Sequence, residues 1–191
     1  MIGILLAAGF SRRFGAADKL LQPLPDGRLI AIAAAENLIQ AIPTCVAVVR
    51  AENKVLAQLL ADKGFRLVFC DENKPDMADS LAAAIRFSAG FVETDSGFLI
   101  VLADMPYIKA ETIRAVAERL AEGAAIAIPT YQGQRGHPVG FSSKFRHDLE
   151  SLQGDEGARS IIKRYANEVT LLACQDAGIL ADIDTPADLS S

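Results

Sequence analysis

The sequence predicts an α/β fold, a mainly parallel sheet with helices on both faces. Three observations predict it. From residue 2 to residue 129, short apolar runs with strand character alternate with longer stretches of helical periodicity. Glycine or proline closes most of the helical stretches. Apolar residues make up 51% of the chain, with alanine abundant and tryptophan absent, a mix that suits helices packed closely on a parallel sheet. In such a fold the crossovers are right-handed and ligands sit outside the carboxyl ends of the strands.

The elements follow in order. Residues 2–6 read as a strand, 28–41 as a helix ended by Pro43, and 45–49 as a second strand. Residues 53–63 form a helix stopped by Gly64, and 66–69 a third strand. Residues 80–89 form a helix stopped by Gly90, with Asp79 or Ser80 as its cap. Residues 97–102 are a fourth strand, 109–121 a helix stopped by Gly123, and 125–129 a further strand. Past Pro129 the pattern loosens. Gly and His cluster at 133–140, helices are expected at 143–150 and 158–166, and a strand near 169–172. The chain closes with a strand-like run at 179–183 and a turn at Pro186. No repeat, low-complexity tract or linker interrupts residues 1–191, so a single domain is expected.

At 191 residues the chain can bury a sizeable core without disulfides or a structural metal. With a net charge of −5, nothing in the sequence suggests a nucleic-acid stripe or a polybasic membrane patch. Cys45, Cys70 and Cys174 form neither a C-x-x-C pair nor a zinc pattern. Cys45 and Cys70 sit in or beside strand-like runs and are expected to be buried thiols in a reducing compartment. The N-terminus lacks signal-peptide features, and no apolar run reaches the roughly 20 residues of a membrane span, so the cytoplasm is expected.

The first loop carries the strongest chemical signal. Leu6-Ala7-Ala8-Gly9-Phe10-Ser11-Arg12-Arg13-Phe14-Gly15 follows the first strand, and Asp18-Lys19-Leu20 comes shortly after. Read singly, Gly9 and Gly15 are turn glycines and the arginines a solvated face. Read together, small residues let backbone N–H groups approach an anion, while two arginines and a lysine add charge-assisted donors. A polyphosphate fits this loop. It is neither a Walker-type P-loop nor a G-x-G-x-x-G fingerprint.

Acids recur on the same rim. Asp104, after the fourth strand, either binds Mg²⁺ or caps the turn before Pro106; the nearby phosphate loop favours the metal. Alternation puts Asp182 and Asp184 on one face, with Ile183 on the other. Asp184 is the candidate second ligand, or else the N-cap of a short helix. Gly133–Phe141 is glycine-rich, and its Arg135 and His137 could meet a phosphate. A lone histidine is more often structural than a general acid or base. His147 lies in a charged helical stretch and reads as solvated. Gly154–Arg159 reads equally as a loop entering a helix and as a substrate contact. No cysteine or serine has an obvious base beside it, which argues against a covalent nucleophile.

Taken together, LAAGFSRRFG, DKLL, DMADSL, LADMP, GQRGHPVGF, GDEGAR and DIDTPADL resemble the MobA-like nucleotidyltransferases, and most closely the molybdenum cofactor cytidylyltransferases. The resemblance runs from Gly3 to Leu189. It implies a Rossmann-like three-layer α/β/α sandwich of the nucleotide-diphospho-sugar transferase type. It also implies transfer of CMP from CTP to the terminal phosphate of molybdopterin, with Mg²⁺ (or Mn²⁺ in its place) as cofactor. Ala8 stands where guanylyl-transferring relatives usually carry a second glycine, which leans towards CTP. By that resemblance Leu6, Ala7, Ala8, Gly9, Ser11, Arg12 and Arg13 cradle the triphosphate, and Arg13 and Lys19 neutralise charge at the α-phosphate. Asp79, Ser80 and Leu81 lie beside base and ribose, and Asp104, with Asp184, holds the metal. Arg135, Gly136, His137, Asp155 and Arg159 face the molybdopterin. A molybdenum hydroxylase is the implied transient partner. The rival expectations are a nucleotidyltransferase with a sugar phosphate or methylerythritol phosphate as acceptor, and a non-catalytic cofactor carrier of the same fold.

Overall fold

A computed structural model describes residues 1–9, 18–70, 76–154 and 157–190. The apolar run at the N-terminus is strand β1 (Ile2–Leu6), which sends Ile2 and Ile4 to one face and Leu5 to the other. Strands β2 (Cys45–Val49), β3 (Arg66–Phe69) and β4 (Phe98–Leu102) join it in parallel, in the order β3-β2-β1-β4. Leu6 pairs with both Val48 and Leu102, so the carboxyl ends of β1, β2 and β4 are level.

Helices α1 (Ile30–Ala41), α2 (Lys54–Asp62) and α4 (Ala110–Ala121) pack against one face, where Leu5, Ala47, Val49, Leu99 and Val101 point. The other face receives α3 (Met77–Phe87), α5 (Arg146–Glu150) and α6 (Arg159–Arg164) over Ile4, Val46, Val48 and Ile100. Two apolar layers on one sheet give the expected three-layer sandwich.

Several boundaries move for identifiable reasons. α3 starts at Met77, not Ser80, and its cap position is Asp76, so neither Asp79 nor Ser80 caps it. Ala78, Leu81, Ala82 and Ile85 form one buried helical stripe, and burying Ala78 draws the first turn forward. The helix expected at 143–150 divides into a 3-10 turn, Ser143–Phe145, and α5. The one expected at 158–166 shortens to α6. Cys70 is half-buried, not buried, because it follows β3, an edge strand.

The larger departure lies past Pro129. β5 (Ile126–Tyr131) turns back through Gln132 and Gly133, at φ 49° and 80°, into β6 (Gln134–Arg135). A two-residue loop with both φ positive matches the twist of a hairpin, and glycine adopts that backbone freely. The returning chain continues as β7 (Val139–Phe141), antiparallel between β4 and β5. β8 (Val169–Ala173) then pairs in parallel with the other edge of β5.

The run expected as a final strand at 179–183 is not one. Ala177–Leu180 is a 3-10 turn, started where the Asp176 carboxylate accepts the Gly178 N–H at 3.0 Å. No strand ladder joins this segment to the sheet: within the turn the Ile179 carbonyl accepts the His137 N–H at 3.0 Å, and beyond it the Ile183 N–H donates to the Asp104 carbonyl at 2.9 Å. Ile183 is nevertheless buried and Asp182 exposed, as alternation predicts. Among the described residues no helix is long and apolar enough to cross a membrane.

Candidate active site

Where β1 ends, the Ala7 N–H bonds to Val48, and where β4 ends, the Ala103 N–H bonds to Leu6, at 2.9 and 3.1 Å. Ala7 and Ala8 are thereby buried at the rim, while Gly9 is exposed. Asp104 projects two residues past β4. The loop that carries it is tied to α1, because the Asn37 side-chain amide donates to the carbonyls of Pro106 and Ile108 at 3.0 and 2.9 Å.

Lys19 opens a 3-10 turn, Lys19–Leu21, capped by Asp18 through the Leu20 N–H at 3.0 Å. Asp18 also accepts from the amide of Asn53, the residue that caps α2 through the Leu56 N–H. This chain of caps fixes the start of the lysine. Its Nζ donates to Asp104 Oδ2 at 2.8 Å and Asp184 Oδ1 at 3.4 Å. The Lys19 side chain is only 11% exposed, against 26% for Asp104 and 45% for Asp184, so the ammonium sits beneath the two carboxylates that neutralise it. Asp188 holds the Asp184 segment, accepting the N–H groups of Asp184 and Thr185 and the Thr185 hydroxyl. Those bonds keep the Asp188 carboxyl below its usual range.

Beside this cluster opens a cavity of about 540 Å³. Leu6, Leu102 and Met105 bring the strand ends to it, and α3 supplies Met77 and Leu81. Arg135, Gly136 and His137 come from the hairpin, Arg159 and Ile162 from α6, and Ile179, Leu180 and Asp182 from the C-terminal segment. The hairpin wall is fixed: the Gly136 N–H bonds to Pro129 at 3.0 Å, and a Cβ on Gly136 would come within 2.3 Å of the Ile179 carbonyl oxygen. Only glycine allows that approach.

His137 is half-buried as a residue, but its Nδ1 is shut off from solvent and has no hydrogen-bond partner among the described residues. Burial lowers its pKa first of all. Asp104 raises it, Arg159 lowers it, and the Ile100 carbonyl and Asp182 raise it. The net shift is downward, so the ring is neutral near pH 7.

Of the residues singled out in the sequence, Leu6, Leu81, Arg135, Gly136, His137 and Arg159 line this one cavity. Lys19, Asp104 and Asp184 meet at its edge, and Ala7, Ala8 and Gly9 lead away from Leu6. Ser80 is buried in α3 and Asp79 half-buried in its first turn; neither lines the cavity. Ser11, Arg12, Arg13 and Asp155 lie outside the described residues.

Sequence reasoning missed Asp176, Asn37, Asn53 and the cavity position of Asp182. Asp176 is 3% exposed and accepts from Lys109 N–H, Thr112 Oγ1 and Gly178 N–H. It ties the C-terminal segment to the start of α4. An Asp two residues before a Gly is a turn signal that could have found it. Asn37 sits inside a helix and carries no local signal.

Comparison with known proteins identifies the family and the fold. The profile of the MobA-like NTP transferase domain matches residues 3–169. The purine catabolism protein PucB of Bacillus subtilis is 30% identical, over 98% of this chain and 93% of its own. A molybdenum cofactor guanylyltransferase of Cupriavidus pinatubonensis is also 30% identical, over the same shares. The crystal structure of Rv0371c from Mycobacterium tuberculosis superposes with a TM-score of 0.82 at 26% identity, covering 100% of this chain and 98% of that one. A complex of Rv0371c with manganese superposes at 0.77, with 23% identity and coverage of 99% and 95%.

Proposed function

The chain belongs to the MobA-like NTP transferase family, and from that premise we propose that it transfers CMP from CTP to the terminal phosphate of molybdopterin, releasing pyrophosphate. The observation that carries the reading is Lys19 between Asp104 and Asp184, at the edge of a cavity that holds Arg135 and Arg159. The molybdenum cofactor guanylyltransferase among its relatives supports an acceptor of this kind. Ala8 in the first loop supports CTP over GTP.

The two carboxylates fit a divalent cation. Their oxygens already converge on one positive charge, and carboxylate oxygens are the donors Mg²⁺ prefers. Asp104 and Asp184 would hold Mg²⁺, with Mn²⁺ able to replace it, as the manganese complex of Rv0371c supports. Bound there, the ion supplies charge neutralisation and alignment at the phosphates.

The chain's own residues do the rest. The Ala7 N–H is engaged with Val48, so Ala7 lines the cradle while the backbone N–H groups of Ala8 and Gly9 and the donors of Ser11, Arg12 and Arg13 take the triphosphate. Lys19 and Arg13 neutralise charge as it builds at the α-phosphate. Asp79, Ser80 and Leu81 set base and ribose. Arg135, Gly136, His137, Asp155 and Arg159 place the acceptor. An oxygen of its terminal phosphate attacks the α-phosphorus in line, and the bond to the β-phosphate oxygen breaks, its electron pair leaving with pyrophosphate. That oxygen is already anionic, so no general base is required. We place the reaction in the cytoplasm, with handover of the product to a molybdenum hydroxylase.

The test is pyrophosphate release with molybdopterin and Mg²⁺ across CTP, GTP, ATP and UTP. Release with CTP, at least about tenfold above the others, is the expected result. A preference for GTP, turnover only with a sugar phosphate or methylerythritol phosphate, or cofactor binding without pyrophosphate release would each overturn it.

A further inference from the structure

The 540 Å³ cavity is lined by charges of both signs. Arg135 and Arg159 line it, and so does Asp182, which the phosphate chemistry leaves unused. Among the described residues no hydrogen bond or ion pair joins Asp182 to either arginine or to any other side chain. Asp184, two residues on, is by contrast engaged by Lys19.

The neighbours of Asp182 fix the side it takes. Ile183 is buried among the side chains that face α1, α2 and α4, and its N–H bonds to the Asp104 carbonyl. Alternation then turns Asp182 the other way. It is exposed there, across the cavity from Leu81 and Ile162, which belong to the opposite helical layer. Both carriers of charge are tied down. The hairpin is held by the Gly136 N–H to Pro129 and the His137 N–H to Ile179, and the C-terminal segment by Asp176. Opposite charges therefore share one space without closing on each other.

That arrangement selects its occupant. A bare phosphate would meet the arginines but be repelled by Asp182, and a simple cation would meet the reverse. An occupant that satisfies all three carries an anionic group at one end and N–H donors at the other. Between them, the aliphatic side chains of Leu81, Ile162 and Leu180 suit the flat face of a ring. Two parallel N–H groups on one planar edge match the two oxygens of a carboxylate.

We propose that the Asp182 carboxylate reads an amidine-like edge of the acceptor's heterocycle, a ring N–H beside an exocyclic amine, while Arg135 and Arg159 hold its anionic end. This rests on the pterin acceptor argued above. It makes Asp182 a specificity-determining residue for that acceptor.

The experiment compares pterin-6-carboxylate with lumazine-6-carboxylate by fluorescence titration of the whole protein. The two share the bicycle and the anionic group, but an oxo group replaces the exocyclic amine in the second. The wild type binds the pterin at least about tenfold more tightly, because a site built for a donor rejects an analogue that presents an acceptor there. Asp182→Asn, which is isosteric and whose amide can donate to the oxo group, binds the two within about twofold. Arg159→Gln weakens both probes and keeps the preference, since it touches only the anionic end.

Equal binding of both probes by the wild type, or a preference that survives in Asp182→Asn, overturns the inference and leaves the pterin acceptor standing. Loss of CTP binding in Asp182→Asn, with the pterin bound as in the wild type, assigns Asp182 to the nucleotide and also overturns it. If neither probe binds the wild type while CTP does, the pterin acceptor itself fails and takes the inference with it.

Discussion

Asp104 is the residue on which the proposed chemistry turns, and its environment lets the claim be tested cleanly. The side chain is 26% exposed and its one described ion pair is with Lys19, so removing its charge leaves the packed core untouched. Asp104→Asn is expected to lower turnover by at least about a hundredfold, on the scale of losing a group that stabilises charge in the transition state. The domain should stay folded, with a thermal melt lowered only by the charge that Lys19 loses while Asp184 remains beside it. Near-normal pyrophosphate release at ordinary Mg²⁺ would remove Asp104 from the site. Cys45 gives a contrasting residue, inert rather than active. Burial pushes its thiol from 9.0 up to about 12, and Sγ donates to the Ile42 carbonyl at 3.0 Å. Below about pH 9 the thiol is protonated both folded and unfolded, and its contribution to stability is fully present. As pH rises from about 9 to about 12, the unfolded chain releases the proton and the native chain does not, so stability falls. Urea unfolding of wild type and Cys45→Ala at about pH 8 and about pH 11 should reveal an extra loss in the wild type, up to about 1.4 kcal/mol per pH unit. A thiol reagent that labels Cys45 in the native protein at pH 8 would contradict this.

At the scale of elements, the site depends on two attachments. The segment from Ala177 to Asp184 belongs to no strand, yet it delivers Ile179, Leu180 and Asp182 to the cavity and Asp184 to Lys19. Asp176 anchors it through three donors, at 2.9, 2.6 and 3.0 Å. Asp176→Ala leaves those donors without their acceptor, and about 3 kcal/mol or more of stability should be lost in urea denaturation, at about 1 kcal/mol or more for each. A change below about 1 kcal/mol would mean that water or a neighbour replaces the carboxylate. The second attachment is the β5–β6 hairpin. In Gly136→Ala the new methyl group would lie 2.3 Å from the Ile179 carbonyl oxygen, so one segment must move. KM for the acceptor should rise about tenfold or more, with KM for CTP changed less, because the cavity wall shifts while the first loop does not. Equal rises in both would show that the two sides of the site are not separable.

For the whole molecule, the described strands belong to one eight-stranded sheet, and helices on both faces share its side chains. We therefore expect one cooperative unfolding transition, with far-ultraviolet circular dichroism and thiol exposure reporting the same midpoint. Two resolved midpoints would argue for two independent units. What the sequence by itself determined is the part governed by local periodicity. The run of Ile2, Ile4 and Leu5, the valine-rich Cys45–Val49 and the glycines after α2 and α4 each specify their own element, so the strand–helix alternation and the rim position of Ala8 and Asp104 were legible in advance. The stripe of Ala78, Leu81, Ala82 and Ile85 was equally local, and only its first turn was misplaced. Tertiary structure alone decided the insertion of antiparallel β7 between β4 and β5, the meeting of Lys19 with Asp104 and Asp184 across 85 and 165 residues, and the unpartnered nitrogen of His137. The physical reason is common to all three. Strand neighbours, ion pairs and desolvation arise from surfaces that touch only after the chain has closed on itself, and nothing in the residues flanking Lys19 or His137 encodes what will be packed against them.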